Sequence, residues 1–220
     1  MSSSPAINGG PSTPAQGTDP ASGAAVSRGV LIHATVLLGF VNLFHALDRA
    51  AMSILIEPIK ADLGLTDTQL GLLTGFAFSL TYALFGIPLA RLADTRSRVK
   101  LLAVCLAVWS AATAVAGFAQ NFIQLALTRI VIGIGEAGGA PASVSMMGDY
   151  YTPENRSRGM SWYQLGGAAG GTLGLALVGV IADHYGWRVA FFAMGLPGVL
   201  LAIVLVTSLR EPTRGRFQST

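Results

Sequence analysis

The chain has 220 residues, of which 52% are hydrophobic and only 11% are charged, and its mean hydropathy is +0.58. Because soluble globular proteins carry about 25% charged residues, this composition excludes an ordinary soluble domain. It predicts an all-α, polytopic membrane protein. The formal net charge is +3, and the single cysteine, Cys105, excludes an intrachain disulfide and a cysteine metal cluster.

The chain divides into a polar beginning and an apolar body. Residues 1–27 are rich in Ser, Pro, Gly and Ala without apolar periodicity, which predicts a disordered tail. No apolar run follows a basic start there, as a secretory signal requires. Six apolar segments with short connections then predict six transmembrane helices within residues 28–210. Their approximate ranges are 30–56, 70–91, 100–119, 122–147, 160–182 and 189–209.

The positions of Lys and Arg predict the orientation of these helices. Ten of the 14 lie on the side of the amino-terminal tail, and only Lys60 and Arg188 lie in connections on the opposite side. The positive-inside rule then predicts that both termini are cytoplasmic. This asymmetry accounts for the basic pI, so a nucleic-acid partner is not needed. The ten residues are Arg28, Arg91, Arg96, Arg98, Lys100, Arg156, Arg158, Arg210, Arg214 and Arg216.

The fourth apolar segment carries two charged residues, Arg129 and Glu136, in its interior. A charge near the centre of a membrane helix costs about 2.5 to 3.5 kcal/mol. Seven residues are close to two helical turns, so both side chains share a face but lie roughly 10 Å apart along the axis. We therefore expect each to face a partner or water inside a bundle. The alternative is that they extend to opposite membrane surfaces.

The first apolar segment contains a second polar group. Three of its members, Asn42, His45 and Arg49, share one helical stripe, and Asp48 lies about 100° away from Arg49. We expect Asp48 or Arg49 to face the charges of the fourth segment, because two acids and two arginines form a neutral buried cluster. Protonation of one acid would unbalance this cluster, which suggests proton coupling. For His45, a proton relay or substrate contact and a purely structural hydrogen bond are both open.

The connection after the second segment, GIPLARLADTRSRVK, places Asp94 among Arg96, Arg98 and Lys100. The positive-inside rule explains the cations but not the acid. Near a helix amino terminus, a carboxylate is stabilised by the helix dipole and by flanking arginines. We predict a charge network here that latches one conformation; a simple positive-inside loop is the alternative.

Glycines recur at four-residue spacing in the fifth segment, at Gly166, Gly170 and Gly174. Such ridges of small residues let helices approach closely. Static packing and a hinge or sliding surface are both compatible with this pattern.

The two halves of the apolar body show a faint internal symmetry. Ala-Asp at positions 93 and 94 recurs at positions 182 and 183, and each pair precedes an apolar segment. Two three-helix units in series lie in opposite orientations because three is odd. The pattern predicts two inverted three-helix repeats, an architecture of many secondary transporters.

These features, in this order, resemble the N-terminal half of a major facilitator superfamily transporter. The connection after the second segment resembles the family motif GxxxD(R/K)xGx(R/K)(R/K), with Asp94, Arg98 and Lys100 in place. Alanine and serine replace two glycines of that motif, and threonine replaces a cation. The residues around Arg129 and Glu136 resemble the fourth-helix motif, and the fifth segment resembles the glycine-rich fifth helix without its usual proline.

Further features resemble the spinster branch of that superfamily. They are Asp48-Arg49, Arg129 with Glu136, the loop YYTPENRSRGM, Gly186-Trp187-Arg188 and Glu211-Pro212. The resemblance implies proton-driven alternating access without a cofactor, with Asp48, Glu136 and Arg129 in proton coupling. It implies amphipathic lipid substrates such as lysophospholipids or sphingosine phosphate. The candidate substrate-binding residues are Arg49, His45, Asn42, Arg129 and Glu136.

The resemblance also implies a location and a missing partner. A bacterial plasma membrane is expected, with residues 211–220 as the start of a cytoplasmic linker to a C-terminal six-helix half. Because family members have twelve helices, we expect this chain either to be one half of a longer protein or to assemble with a second chain. One half alone supplies a single wall of the cavity.

Other functions remain open at this stage. Within transporters, a small organic anion, a sugar or a drug is an alternative substrate. A membrane enzyme would need a nucleophile or a metal site, and the sequence shows no HExxH motif and no Cys/His cluster. A channel gives no reason for carboxylates opposite arginines. A membrane sensor or assembly subunit without transport activity is a further alternative.

Overall fold

The computed structural model describes residues 27–217, so the predicted tail lies outside the described residues except for Ser27. The described part is helical, and the predictions of an all-α class and six membrane-length helices are confirmed. By length and composition, each of the six can cross a bilayer. They are α1 Arg28–Leu63, α2 Asp67–Thr95, α3 Arg98–Ala116, α4 Phe122–Tyr150, α5 Arg156–Tyr185 and α6 Trp187–Ser208.

The helices begin and end at recognisable signals. The side chains of Ser27, Ser97 and Asn121 accept hydrogen bonds from the first turns of α1, α3 and α4. α1 ends at Gly64, whose φ of 63° lies in the left-handed region that glycine adopts without strain. These local signals place the boundaries of the connections between the long helices.

Three of the helices are interrupted. α2 contains a π-helical turn, Leu72–Ala77, and α5 contains another, Gly174–Val178. α4 consists of Phe122–Ala137 and Gly139–Tyr150, which meet at Gly138. Pro141 has no N–H to donate to the carbonyl of Ala137, which explains why the helical hydrogen bonding breaks there. The break at Gly138 lies two residues after Glu136.

The helix pairs reflect the predicted inverted repeat. α1 packs against α5, α4 packs against α2, and α3 packs against α6. An exchange of the first three helices with the last three turns the pair α1–α5 into α4–α2 and leaves α3–α6 unchanged. The packing therefore has the symmetry of two related three-helix units.

The glycines of α5 determine how closely it approaches α1. A Cβ atom on Gly166 would collide with the carbonyl of Gly39, and one on Gly170 would collide with the backbone of Leu43. A Cβ atom on Gly174 would make a tight contact with Leu47, 3.2 Å from its Cα atom. The tight helix packing predicted from these glycines is present, and the hinge remains a prediction.

The apolar core forms two clusters along the membrane direction. One lies at the end that holds the ten Lys and Arg residues, here named the arginine-rich end, and the other lies towards the opposite end. Along α1, α3 and α4, the buried polar residues Asp48, Thr113 and Arg129 fall between stretches that belong to the two clusters. A polar layer thus separates two apolar layers.

Candidate functional site

Four charged side chains from α1 and α4 line one cavity in this polar layer. The cavity has a volume of about 160 Å³ and includes Asp48, Arg49, Arg129 and Glu136. Apolar and hydroxyl side chains from α1, from the π-helical turn of α2 and from the residue that follows this turn complete the lining: Met52, Leu73, Thr74 and Phe78. Because π-helical turns are often found at functional sites, this arrangement marks the cavity as the candidate site.

Glu136 and Arg49 form the ion pair of this cavity. Arg49 Nε lies 3.1 Å from Glu136 Oε2; the glutamate side chain is fully buried, whereas the arginine side chain is 44% exposed. The guanidinium of Arg49 also lies over the rings of Phe78 and Tyr82, at 5.2 and 4.9 Å from their centroids. His45 Nε2 is 3.2 Å from the same carboxylate oxygen but is not aligned for a hydrogen bond. The pair thus links a buried acid to an arginine at the surface of this half.

Arg129 is buried without a direct acidic partner. It is 3% exposed, and its Nε and Nη2 atoms make no hydrogen bond to any described residue. Its guanidinium lies 5.5 Å from the ring centroid of Phe191 in α6. Within residues 27–217, no acid lies close enough to form an ion pair with it. Buried hydrogen-bond donors normally have an acceptor. The Nε and Nη2 atoms of Arg129 therefore indicate that an acceptor from outside the described residues binds here.

Asp48 lies on the same cavity but has a different partner. The hydroxyl of Thr113 in α3 donates to Asp48 Oδ1 over 2.9 Å, and Asp48 is 5% exposed. The alternative in which the charges of the fourth segment extend to the membrane surfaces is wrong, because Arg129 and Glu136 are both buried. The predicted meeting of charges from the first and fourth segments is present.

Glycines in α4 allow neighbouring helices to come close enough to form this cavity. A Cβ atom on Gly133 would collide with Thr81 and with the carbonyl of Phe78 in α2. One on Gly135 would lie 2.8 Å from Trp109 Cβ in α3. Glu136 follows these glycines directly, so close packing on two sides places its side chain in the interior.

Asn42, a predicted substrate-binding residue, lies outside the lining of the charged cavity. Its side-chain amide donates to the carbonyl of Tyr163 over 3.0 Å and to Gln164 Oε1 over 3.2 Å, both in α5. Asn42 lies on the same stripe of α1 as His45 and Arg49, as predicted, but its side-chain amide binds α5 and not the cavity. Sequence periodicity alone did not identify which neighbouring helix it meets.

A second charge cluster lies at the arginine-rich end and centres on Arg98. This arginine is 2% exposed; Nη1 lies 2.5 Å from Asp149 Oδ2, and Nε lies 3.0 Å from Glu211 Oε1. Nη1 also donates to Ser145 over 2.9 Å, and Nη2 donates to the carbonyl of Pro212 over 2.9 Å. The cluster therefore joins the start of α3, the end of α4 and the segment after α6.

The other predicted members of the latch do not join this cluster. Asp94, Arg96 and Lys100 are exposed, and none of them forms an ion pair with another described residue. Asp94 lines a polar cavity of about 290 Å³ together with Arg98 and Asp149, but it forms no ion pair with Arg98. The acids that hold Arg98, Asp149 and Glu211, were not among the predicted site residues. In the sequence, Glu211 was noted only as part of the pair Glu211-Pro212. Asp149 is a single acid at the end of an apolar segment, and no sequence pattern marked it as a site residue.

Glu211 also caps α3. Its carboxylate accepts hydrogen bonds from the backbone N–H groups of Arg98 and Val99, each over 3.1 Å, and from the hydroxyl of Ser97 over 2.6 Å. Partial burial opposes ionisation of this carboxylate, but these hydrogen bonds outweigh it and hold the pKa of Glu211 below its usual value. A negative charge at a helix amino terminus is also favoured by the helix dipole.

The described residues contain no group of three or more His, Cys, Asp and Glu side chains that could hold a metal ion. Ionisable side chains around an internal cavity in a bundle of membrane helices are typical of secondary transporters. Residues 38–220 match the family model of the Major Facilitator Superfamily. The chain belongs to this family of membrane transporters.

Two known transporters are similar to this chain in sequence. An "MFS-type efflux pump" of Mycolicibacterium smegmatis is 38% identical over 177 residues, which cover 80% of this chain and 41% of the pump. A "Probable L-galactonate transporter" of Escherichia coli is 32% identical over 170 residues, which cover 77% of this chain and 37% of the relative. The chain thus spans less than half the length of these relatives.

The fold also matches a solved structure. The crystal structure of a bacterial homologue of the human lysosomal transporter Spinster, inward-facing and unoccupied, superposes with a TM-score of 0.79. It is 32% identical, and the match covers 86% of this chain and 45% of that one. The predicted resemblance to the N-terminal six-helix half of a spinster-like transporter is confirmed.

Proposed function

We propose that this chain is the N-terminal half of a proton-coupled secondary active transporter for an anionic or zwitterionic substrate. The observation that carries the proposal is the buried guanidinium of Arg129, which has two donors without a partner and lies on the charged cavity. A buried charge costs much less when a counter-charge reaches it. An anionic group of the substrate would provide that counter-charge.

The pair Arg49–Glu136 supports a route for proton coupling. Protonation of Glu136 removes the charge that holds Arg49 at 3.1 Å. Arg49 is partly exposed, so it is free to move from the carboxylate towards a substrate anion. Proton uptake and substrate binding then favour each other, and by linkage the substrate raises the affinity for the proton by the same factor. Asp48, held by Thr113, is the second acid that can take up the proton.

Alternating access needs the second half of the cavity. In this proposal a C-terminal six-helix half faces α1 and α4, and the two halves rock about the site. The Arg98 cluster then acts as the latch at the predicted cytoplasmic side, because it ties three segments together at that end. The positive-inside rule supports a plasma-membrane orientation with cytoplasmic termini.

Two substrate classes fit an arginine-lined cavity. An amphipathic lipid, such as a lysophospholipid or a sphingosine phosphate, is supported by the resemblance to the spinster branch. A small organic anion is supported by the relative named as a probable L-galactonate transporter. In both classes a negative group would meet Arg129, so the two differ in the apolar part of the substrate.

The test uses proteoliposomes that contain the complete two-half transporter. Labelled lysophospholipid and labelled galactonate are offered separately, with and without a pH gradient. We expect one of them to accumulate when the gradient is present, and Glu136→Gln to lower the gradient effect by about fivefold or more while counterflow continues. The exposed loop variant Glu154→Gln is the matched control.

Two results would overturn this proposal. If both Glu136→Gln and Asp48→Asn transport with unchanged pH dependence, the cavity acids do not couple the proton. If counterflow is absent for every anion and zwitterion tested, a membrane sensor or assembly subunit replaces the transporter.

A further inference from the structure

A groove at the surface of the described chain is separate from the charged cavity. It has a volume of about 740 Å³ and lies between α1 and α5 near the arginine-rich end. One wall is a ridge of α1 that contains Ile32, Val36 and Phe40. The other wall belongs to α5 and contains Trp162 and Leu165. The groove is therefore almost entirely apolar along its length.

One end of this groove is positively charged. Arg28 is the only charged residue among the described residues that line the groove. It begins the α1 ridge, because Arg28, Ile32, Val36 and Phe40 follow at four-residue spacing on one face. Arg158 precedes Trp162 by one helical turn on α5 and is exposed, although it is not part of the groove lining. The groove thus has Arg28 at this end of its α1 wall and a second arginine nearby on α5.

The dimensions of the groove match one leaflet of a bilayer. The helix from Arg28 to Phe40 spans roughly 18 Å at 1.5 Å per residue, and half of a bilayer core is about 15 Å thick. Trp162 is 60% exposed, as is typical of a tryptophan at the membrane interface. The wall side chains Val36 and Phe40 are 51% and 47% exposed, so the described protein leaves this length of apolar surface uncovered.

We propose that the groove binds a phospholipid with an anionic headgroup. One acyl chain lies along the ridge Ile32–Val36–Phe40, and the phosphate group lies at Arg28, with Arg158 adding to the positive charge. Charge complementarity selects the headgroup, because the groove is apolar except at the end where the arginines lie. This lipid is a resident ligand of the α1–α5 surface and not the transported substrate, so its binding does not depend on the proposed transport activity.

Tryptophan fluorescence offers a direct test, because Trp162 lines the groove whereas Trp109 and Trp187 are buried. The chain is reconstituted in bilayers that contain acyl-chain-brominated phosphatidylglycerol or, at the same mole fraction, brominated phosphatidylcholine. The emission of a Trp162→Phe sample is subtracted as background. We expect stronger quenching by the anionic lipid.

Variants of the arginine identify the cause of that preference. Arg28→Gln is expected to lower the preference for phosphatidylglycerol by about fivefold, the effect of one arginine near the membrane surface. Arg28→Lys keeps the charge and most of the preference. Arg91→Gln, which removes an exposed cation outside the groove at the same end, leaves it unchanged.

Equal quenching by the two lipids, or a preference that survives Arg28→Gln, overturns the proposal. The absence of quenching by either lipid also overturns it, since a second copy of the chain or another protein segment would then cover the groove. None of these results depends on a transport measurement, so failure here is distinct from failure of the proposed function.

Discussion

Removal of the Arg98 side chain is the perturbation whose cost follows most clearly from the structure. In Arg98→Met, the carboxylate of Asp149 loses its ion pair while its side chain is only 10% exposed. Breaking a buried ion pair by removing one partner costs about 3 to 5 kcal/mol. Glu211 is 31% exposed, so water compensates more of its loss. We expect the free energy of unfolding to fall by about 3 to 5 kcal/mol.

The single cysteine provides the assay. Cys105 is 5% exposed in α3, so a thiol-reactive dye labels it only after the bundle opens. Labelling across a titration from mild detergent to sodium dodecyl sulfate measures the free energy of unfolding. Lys100→Met, which removes an exposed cation two residues away, is the matched control and is expected to change it by less than about 0.5 kcal/mol.

A second variant separates lost charge from lost packing. Asp149→Asn keeps an oxygen that accepts the backbone N–H of Gly215 but removes the uncompensated charge. Added to Arg98→Met, it is therefore expected to recover part of the lost stability, as a double-mutant cycle would show. A loss below about 1 kcal/mol in the single variant, or a double variant no more stable than Arg98→Met, would refute the assignment of this cluster as a buried ion pair.

Two further predictions concern packing and pH. Gly170→Leu places side-chain atoms into the backbone of Leu43 and is expected to cost about 1 to 3 kcal/mol in the same labelling assay. Gly171→Leu, where a Cβ atom meets nothing within 4 Å, is its control, and equal losses would contradict the close α1–α5 contact. For Glu211, the pKa is lower in the folded state, so its contribution to stability is complete above the unfolded pKa and is lost as pH falls through the folded pKa. The difference in melting temperature between wild type and Glu211→Gln should therefore shrink as the pH falls below about 4.3, the usual pKa of a glutamate side chain; a constant difference would show that the carboxylate charge does not matter.

The sequence was informative where a residue type conflicted with its surroundings. Arg129 and Glu136 in an apolar segment predicted a buried site, because charges in a membrane helix need partners. The glycine spacing in α5 predicted close helix packing for an equally direct steric reason. Such conflicts do not depend on how the helices are arranged in three dimensions.

The pairings within the site could not be read in the same way. Helical periodicity gives the face of each residue but not the rotation of one helix relative to another. For that reason, only the structure identifies the two contacts of the site, Arg49 with Glu136 and Asp48 with Thr113. Asp149 and Glu211 lie 51 and 113 residues from Arg98 along the chain, and no local pattern joins positions so far apart.

The measurement that tests the account most directly is the affinity of the complete transporter for its anionic substrate, compared between wild type and Arg129→Met. Hydrogen bonds to charged groups contribute about 1.5 to 3 kcal/mol, so the account predicts that the variant binds about 10- to 100-fold more weakly. Thermal melting of the substrate-free variant checks that it is folded. If the folded Arg129→Met variant bound the substrate as tightly as wild type, the buried guanidinium would not be the anion-binding group and the central claim would be wrong.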